Sequence, residues 1–366
     1  MLKKVIPIFL SFIIGFSAIG SFEGESSAAS SRVAVIKELK GSVKVKKAGG
    51  SKEFTAFAKM SLSEGDILAV GANASAVLAF ANGPSEDDRM TVSANSTLTF
   101  SKLSNSKGTT TKVSLFNGKA WVDVKSISSK NDEFTLETPT AIMGVRGTHL
   151  LVTIDPVSGA THLTVAAGVV NTKTTDPSNP DEQNVYPTQN ALISKDNKEQ
   201  SEVTIAVADV ELLMKKLDGT IASAILKAGG EIQLENDRKM KQYLDELAPS
   251  SNDPENDRIK TNVESILGAI ADQALNNGLI TRARLNEILA EVKAQSGTDI
   301  DLNKKTITLS DKEKLAQKEQ RKKDEEARQR AIKQKEKEEK ERHQELAEKL
   351  EKESKEKEEK NKQTLQ

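Results

Sequence analysis

Thr138-Pro139-Thr140-Ala141-Ile142-Met143-Gly144-Val145-Arg146-Gly147-Thr148, followed by Leu150-Leu151-Val152-Thr153-Ile154, is the stretch on which the reading of this chain turns. Gly144 and Gly147 enclose Val145-Arg146, and glycine permits positive φ or close backbone approach, so the segment reads as a turn holding one arginine at a strand junction. The β-branched run after it reads as a strand. The planar fork of Arg146 suits bonding to nearby carbonyls or to a carboxylate such as Asp66, which locks the turn. A ligand contact is the alternative duty for Arg146.

Outward from this turn the same texture extends from Val33 to about Val207. Val33-Ala34-Val35-Ile36, Val43-Lys44-Val45, Ala76 to Phe80, Thr97 to Phe100, Trp121 to Val124 and Phe134-Thr135-Leu136 are short alternating runs separated by Gly, Asn, Asp and Ser. That spacing predicts strands. No sustained 3.6-residue period interrupts them, which excludes a parallel α/β sheet and leaves an all-β roll, sandwich or solenoid. Gly41, Gly118 and Gly168 each precede a strand, a weak echo at unequal intervals. Trp121, Phe116 and Phe134 alternate with polar neighbours as core residues do, an aromatic sugar platform being the alternative. The Pro-rich segment from Thr174 to Gln189 reads as a loop.

As an ordered set, these motifs resemble the FecR domain family, extracytoplasmic β domains known from iron-dicitrate signalling. The likeness runs from Val33 to about Thr172. It includes Gly41-Ser42-Val43-Lys44-Val45, Leu62-Ser63-Glu64-Gly65-Asp66, Ala76 to Phe80 with Asn82-Gly83, Leu115-Phe116-Asn117-Gly118, Ala167-Gly168-Val169-Val170 and the Thr138–Thr148 signature. The resemblance implies a β-rich domain outside the cytoplasmic membrane that acts by binding. It marks Thr138, Pro139, Gly144, Arg146, Gly147, Thr148, Gly65 and Asp66 as signature residues of structural duty. Signalling members carry a membrane helix and a short cytoplasmic segment that controls a sigma factor. Here only Met1 to Lys4 precede the apolar run, a departure from that pattern.

Beyond about Asp209 the period changes. Val263, Ile266, Leu267, Ile270 and Ala274 share one helical face, as do Leu285, Ile288, Leu289 and Val292, so these are amphipathic helices. Leu213, Leu217, Ile221 and Ile225 suggest another, cut by Gly219, and Ala248 to Pro254 reads as a linker. From Asp311 the chain is a low-complexity run of Lys and Glu opened by a Ser310/Glu313 capping box. Glu336/Lys340, Glu348/Lys352, Glu353/Lys357 and Glu356/Lys360 are spaced for helical ion pairs. Leu315, Ile332, Leu346 and Leu350 do not supply coiled-coil heptads. The tail is expected to be a long, charged, solvent-exposed helix, with coiled-coil-like or disordered forms as alternatives.

Lys3 and Lys4, the apolar run from Val5 to Ile19, and Ser27-Ala28-Ala29 make a tripartite secretory signal with cleavage near Ala29. The expected organisation is therefore a signal peptide 1–29, a β domain 30–207, an amphipathic helical region 208–297, a linker 298–310 and the tail 311–366. No stable transmembrane span is expected after cleavage, and the localisation is secreted or cell surface. Cysteine is absent from the 366 residues, so no disulfide, thiolate zinc site or cysteine nucleophile exists. A formal net charge of -1 offers no field for nucleic acid. His149 and His162 are the histidines before the tail and show no ligand spacing with carboxylates, while His343 lies among tail charges; no metal or cofactor is expected. Asp66 and Asp155 sit in turn sequences, not as a catalytic pair. With no catalytic motif, the expected function is a non-catalytic binding module for a protein or cell-envelope glycan. A structural envelope spacer, or the sensor component of extracytoplasmic signalling, is the alternative.

Overall fold

The computed structural model describes residues 32–82, 85–104, 108–125, 132–178, 180–196, 200–247 and 255–364. The expected signal peptide and the Ala248–Pro254 linker lie outside them.

Strands come first: β1 (Arg32–Lys40), β2 (Val43–Lys46), β3 (Glu53–Thr55), β4 (Ser61–Ser63), β5 (Ile67–Val70), β6 (Ser75–Asn82), β7 (Ser85–Val92), β8 (Ser96–Ser104) and β9 (Thr109–Asn117). There follow β10 (Lys119–Val124), β11 (Glu133–Glu137), β12 (Ala141–Val145), β13 (Thr148–Ile154), β14 (Thr161–Ala167), β15 (Val170–Thr174), β16 (Glu182–Val185), β17 (Gln189–Lys195) and β18 (Ser201–Val207). They form two nine-stranded sheets. The inner sheet has the order β18-β17-β14-β13-β10-β7-β6-β1-β4, and the outer sheet β16-β15-β12-β11-β9-β8-β5-β2-β3. β11 runs parallel to β9, whereas its other neighbour β12 is antiparallel. The stretch expected as a loop from Thr174 to Gln189 contains β16, which pairs with β15 at the edge of the outer sheet. Its Asn- and Pro-rich flanks hide so short a strand.

One local rule explains how the chain moves between the sheets. Gly41, Lys59, Gly65, Asn73, Asn95, Gly118, Gly147, Gly168 and Thr188 all have positive φ, and each stands where the chain leaves one sheet for the other. A single left-handed residue breaks the extended backbone and turns the strand out of its layer. The β10–β11 crossing passes through residues outside the described set. The glycine echo of the sequence is therefore a set of corners, not a repeat.

Between the sheets lies the main core, with Ile36, Leu68, Leu78, Phe80, Phe100 and Phe134 buried in it. Phe134 meets Phe80 edge-on at 5.2 Å, a favourable aromatic geometry. The other face of the inner sheet is covered by helices α1 (Val210–Lys216), α2 (Gly219–Lys227), α3 (Gly229–Leu247), α4 (Glu255–Asn276) and α5 (Arg282–Ser296). Trp121, Leu151 and Ala167 join Leu213, Ile221, Ile225, Ile270, Leu285 and Ile288 in this second core. Hence every residue of β13 is buried: Leu150, Val152 and Ile154 face the outer sheet, and Leu151 faces the helices. Two expected core aromatics fall elsewhere. Trp121 packs under the helices, and Phe116 is half exposed on the outward side of β9, because Leu115 takes the inward position. The expected helix around Leu213 to Ile225 is two helices, broken at Leu217 and restarted by Asp218, whose carboxylate accepts from the Thr220 and Ile221 amides.

Helix α6 (Asp311–Thr364) is continuous and 54 residues long, about 80 Å at 1.5 Å per residue. Its charge pattern implies full solvation, but its first turns are docked. Gln317 donates to the Val207 carbonyl (2.9 Å), and Gln320 donates to the Thr204 (2.6 Å) and Asn190 (2.9 Å) carbonyls. Lys323 pairs with Glu202 at 2.9 Å, and Ala327 is buried. Glutamines at i and i+3 satisfy carbonyls across β17 and β18, a polar seam that counting apolar residues does not detect. From Ile332 to Lys355 every side chain is exposed.

Candidate functional site

The signature stretch builds β12 and the two bends at its ends. At the first, the Thr138 hydroxyl accepts from the Ala141 amide (3.0 Å) and bonds the Thr161 hydroxyl (2.8 Å). Thr140 bonds the same Thr161 hydroxyl at 2.7 Å, and Thr175 donates to the Pro139 carbonyl at 3.0 Å. The Thr138-Pro139 bend thus ties the outer sheet to β14 of the inner one.

At the second bend Gly147 (φ 61°) starts the crossing into β13. It packs against the neighbouring corner at Gly168 (φ 83°), where an added Cβ would lie 2.4 Å from the Gly147 carbonyl oxygen and 2.3 Å from Thr148 Cγ2. Thr148 is fully buried and its hydroxyl has no hydrogen-bond partner among the described residues. The Gly-Thr and Ala-Gly-Val-Val motifs are thus two faces of one contact.

Arg146 is exposed and does not pair with Asp66. The Asp66 carboxylate instead accepts from Lys47 Nζ (2.7 Å), the Ala48 amide (3.1 Å) and the Ser63 amide (2.9 Å). It fixes the β4–β5 corner, where Gly65 has φ 76° and donates to the Phe100 carbonyl. The signature residues therefore form two separate clusters. Sequence adjacency could not show that Lys47 would reach Asp66 first.

Arg146 borders an open cleft of about 510 Å³ on the outer sheet, lined also by Asp132, Glu133, Thr135, Asn171, Lys173 and Asn184. Cross-strand register lines up Thr135, Gly144, Asn171 and Asn184 in one row. Gly144 has no positive φ, and an added Cβ there would have only the Asn171 carbonyl near it, at 3.8 Å. Its role is therefore absence of side chain: it leaves a trough between Thr135 and the Asn171–Asn184 amide pair, which bond at 3.2 Å. A trough edged by amides, a hydroxyl and a guanidinium can hold a hydroxyl- or carboxylate-bearing ligand by directional hydrogen bonds.

Both histidines expected to be solitary face the helical side. His162 Nε2 lies 3.1 Å from Asp324 of α6, and burial lowers the imidazole pKa. His149 stands beside Asp123 in β10, its Nδ1 3.3 Å from Asp123 Oδ1. Burial lowers His149 to about 4 and raises Asp123 to about 6. Asp155 accepts from the Val157 and Ser158 amides, as turn duty requires, and from Arg328 of α6.

None of the curated proteins matches the sequence. Two crystal structures of a "putative anti-sigma factor" from Parabacteroides distasonis ATCC 8503 are similar. The first shares 14% identity over 39% of this chain and 60% of its own, with a TM-score of 0.31. The second shares 13% over 41% and 63%, with a TM-score of 0.32. This chain thus spans less than two thirds of those proteins. Residues 66–171, most of the sandwich, match the family model described as FecR protein.

Proposed function

We propose that this chain is a non-catalytic binding module acting outside the cytoplasmic membrane, delivered there by a signal peptide over 1–29 and taking a protein or cell-envelope glycan on the outer sheet. The observation that carries this reading is the exposed Arg146, held at a glycine-flanked corner beside the Gly144 trough. A buried, bonded arginine would have spoken for structure alone. The FecR match over residues 66–171 supports a sensor component of extracytoplasmic signalling, with the helical layer and α6 as the parts that relay or display the bound state.

A test uses the mature chain with isolated cell-envelope fractions and purified glycan strands. Arg146→Ala should unfold within about 0.5 kcal/mol of the parent, as surface substitutions do, while retention on the envelope fraction falls sharply. Equal retention by parent and variant would remove the outer sheet from the binding account. The exposed part of α6 from Ile332 to Lys355 favours a second reading, that of a spacer. Self-association without saturable envelope binding, seen by sedimentation, would support that reading instead.

A further inference from the structure

The Trp121-Val122-Asp123-Val124 strand turns Val122 and Val124 into the main core and leaves Trp121 and Asp123 on the helical side. In the antiparallel register Asp123 stands directly opposite His149 of β13. Above them α3 begins with Gly229-Gly230-Glu231. An added Cβ at Gly229 would lie 2.6 Å from Ile300 Cδ1, and at Gly230 2.0 Å from Ser296 Oγ. The helix start is therefore pressed against the end of α5 and the segment after it, and this close seat brings Glu231 over the sheet. The donor atoms of Asp123, His149 and Glu231 all lie within 4.8 Å of one another.

His149 is only 6% exposed, and its Nδ1 and Asp123 Oδ1 have no hydrogen-bond partner among the described residues. A buried polar atom left unsatisfied costs about 1–3 kcal/mol, and here two such atoms face each other. The Trp121 ring stacks on the imidazole at 6.3 Å and 28°, fixing its plane. Lys125 Nζ approaches Glu231 at 3.9 Å, and Asp88, Arg89 and Glu235 add opposing charges around the group. Lys125 lies near Glu231 and, with Arg89, also acts on Asp123, but neither bonds the facing His149 Nδ1 and Asp123 Oδ1 atoms. A cleft of about 420 Å³ bounded by Trp121, Asp123 and Glu231 gives a small ion and its water a way in.

We propose that Asp123, His149 and Glu231 form a binding site for a divalent transition cation of the zinc class, joining the inner sheet to the start of α3. One imidazole nitrogen and two carboxylate oxygens suit a borderline cation; magnesium and calcium prefer oxygen alone. Donors bound at about 2.0–2.1 Å around a tetrahedral ion stand roughly 3.3–3.4 Å apart, and the His149–Asp123 separation is 3.3 Å. Glu231 closes onto the ion by side-chain rotation, and water from the cleft fills the fourth position. The burial that keeps the imidazole neutral leaves its lone pair free for a metal. The site lies on the helical side, away from the Arg146 trough, so neither reading depends on the other.

The test uses the mature full-length chain stripped with chelator and then titrated with Co²⁺, followed by visible absorption, and with Zn²⁺, followed by calorimetry. One ion should bind per chain, with the visible bands of a low-coordinate Co²⁺ site, and Zn²⁺ should raise the melting temperature. Loss of an outer-shell partner alone weakens metal affinity about 10–100-fold, so Glu231→Gln should cost at least that much, and His149→Gln should abolish the bands. Because His149 is buried, Glu231→Gln at the half-buried helix start is the decisive variant should His149→Gln fail to fold. No saturable uptake by the folded parent would overturn the site. So would uptake that both Glu231→Gln and Asp123→Asn leave unchanged, the result expected if His343 captures the ion.

Discussion

Gly168→Ala should lower the unfolding free energy by about 3 kcal/mol or more, whereas Gly159→Ala should cost only about 1 kcal/mol. Both glycines have positive φ, 83° and 70°, so both substitutions incur the left-handed penalty of a residue with a Cβ. They differ in surroundings. Around Gly159 nothing lies within 4 Å of an added Cβ, and the penalty is conformational only. At Gly168 the Cβ would fall 2.4 Å from the Gly147 oxygen and 2.8 Å from Thr148 Cα. These are backbone atoms of the adjacent corner, which cannot yield as a flexible side chain does. Two crossings between the sheets would have to part, taking buried Val145 and Val170 with them. Urea unfolding of the two variants against the parent separates the terms. If Gly168→Ala is no worse than Gly159→Ala, the two corners are not in contact as described.

That contact also shows where the sequence is legible. The strands from Val33 onward and the corners at Gly41, Gly118 and Gly168 are local properties, written in alternation and in the one residue type that turns cheaply to positive φ. Asn73 and Asn95 make the same corner with a side chain that tolerates it, and there the signal fades into ordinary turn composition; Lys59 and Thr188 give none. The partner of Asp66 depended on which cation the fold would bring closest, and Lys47 arrives through the β2–β3 connection while Arg146 remains on the outer face. The grouping of Asp123, His149 and Glu231 depends on strand register together with the seating of a helix far along the chain. No spacing rule reaches that distance. The docking of α6 escaped for a different reason: hydrophobic periodicity looks for apolar stripes, and this seam is made of Gln317, Gln320, Asp324 and Arg328.

A polar seam is sensitive to acid, and α6 should leave the sheet as the pH falls while the sandwich stays folded. His162 is buried against Asp324, with Lys216 Nζ 3.8 Å from the same carboxylate. Burial lowers the His162 pKa and outweighs the hydrogen bond to Asp324, which raises it. Burial pushes Asp324 upward, but the His162 hydrogen bond and the nearby cations Lys216 and Arg328 hold it below the ordinary carboxylate value. The arrangement at neutral pH is thus a neutral imidazole donating Nε2–H to an ionised Asp324. Burial lowers Lys216 to about 8, so it is still mostly protonated at pH 7 and supplies the balancing charge. Once α6 has left, His162 takes a proton near pH 6.5; while α6 is docked, it does so only at lower pH. Below about 6.5 the released form therefore binds more protons, and docking weakens as pH falls. Asp324, held low when docked, adds stability that is complete above its ordinary value and lost as pH drops below it, and Asp155, held low chiefly by its own turn amides, adds only the share that comes from Arg328. All three act in one direction. Asp123 and His149 do not, since one is raised to about 6 and the other lowered to about 4, so between those pH values their effects oppose. Hydrogen exchange, corrected for intrinsic rate, should show protection in the docked turns falling from pH 7 toward pH 4 relative to Ile332–Lys355, with β13 still protected. His162→Gln removes the first titrating group and should flatten the upper part of that profile. Protection that is the same at pH 7 and pH 4.5, or a variant profile identical to the parent's, would show that the His162–Asp324 contact does not hold α6.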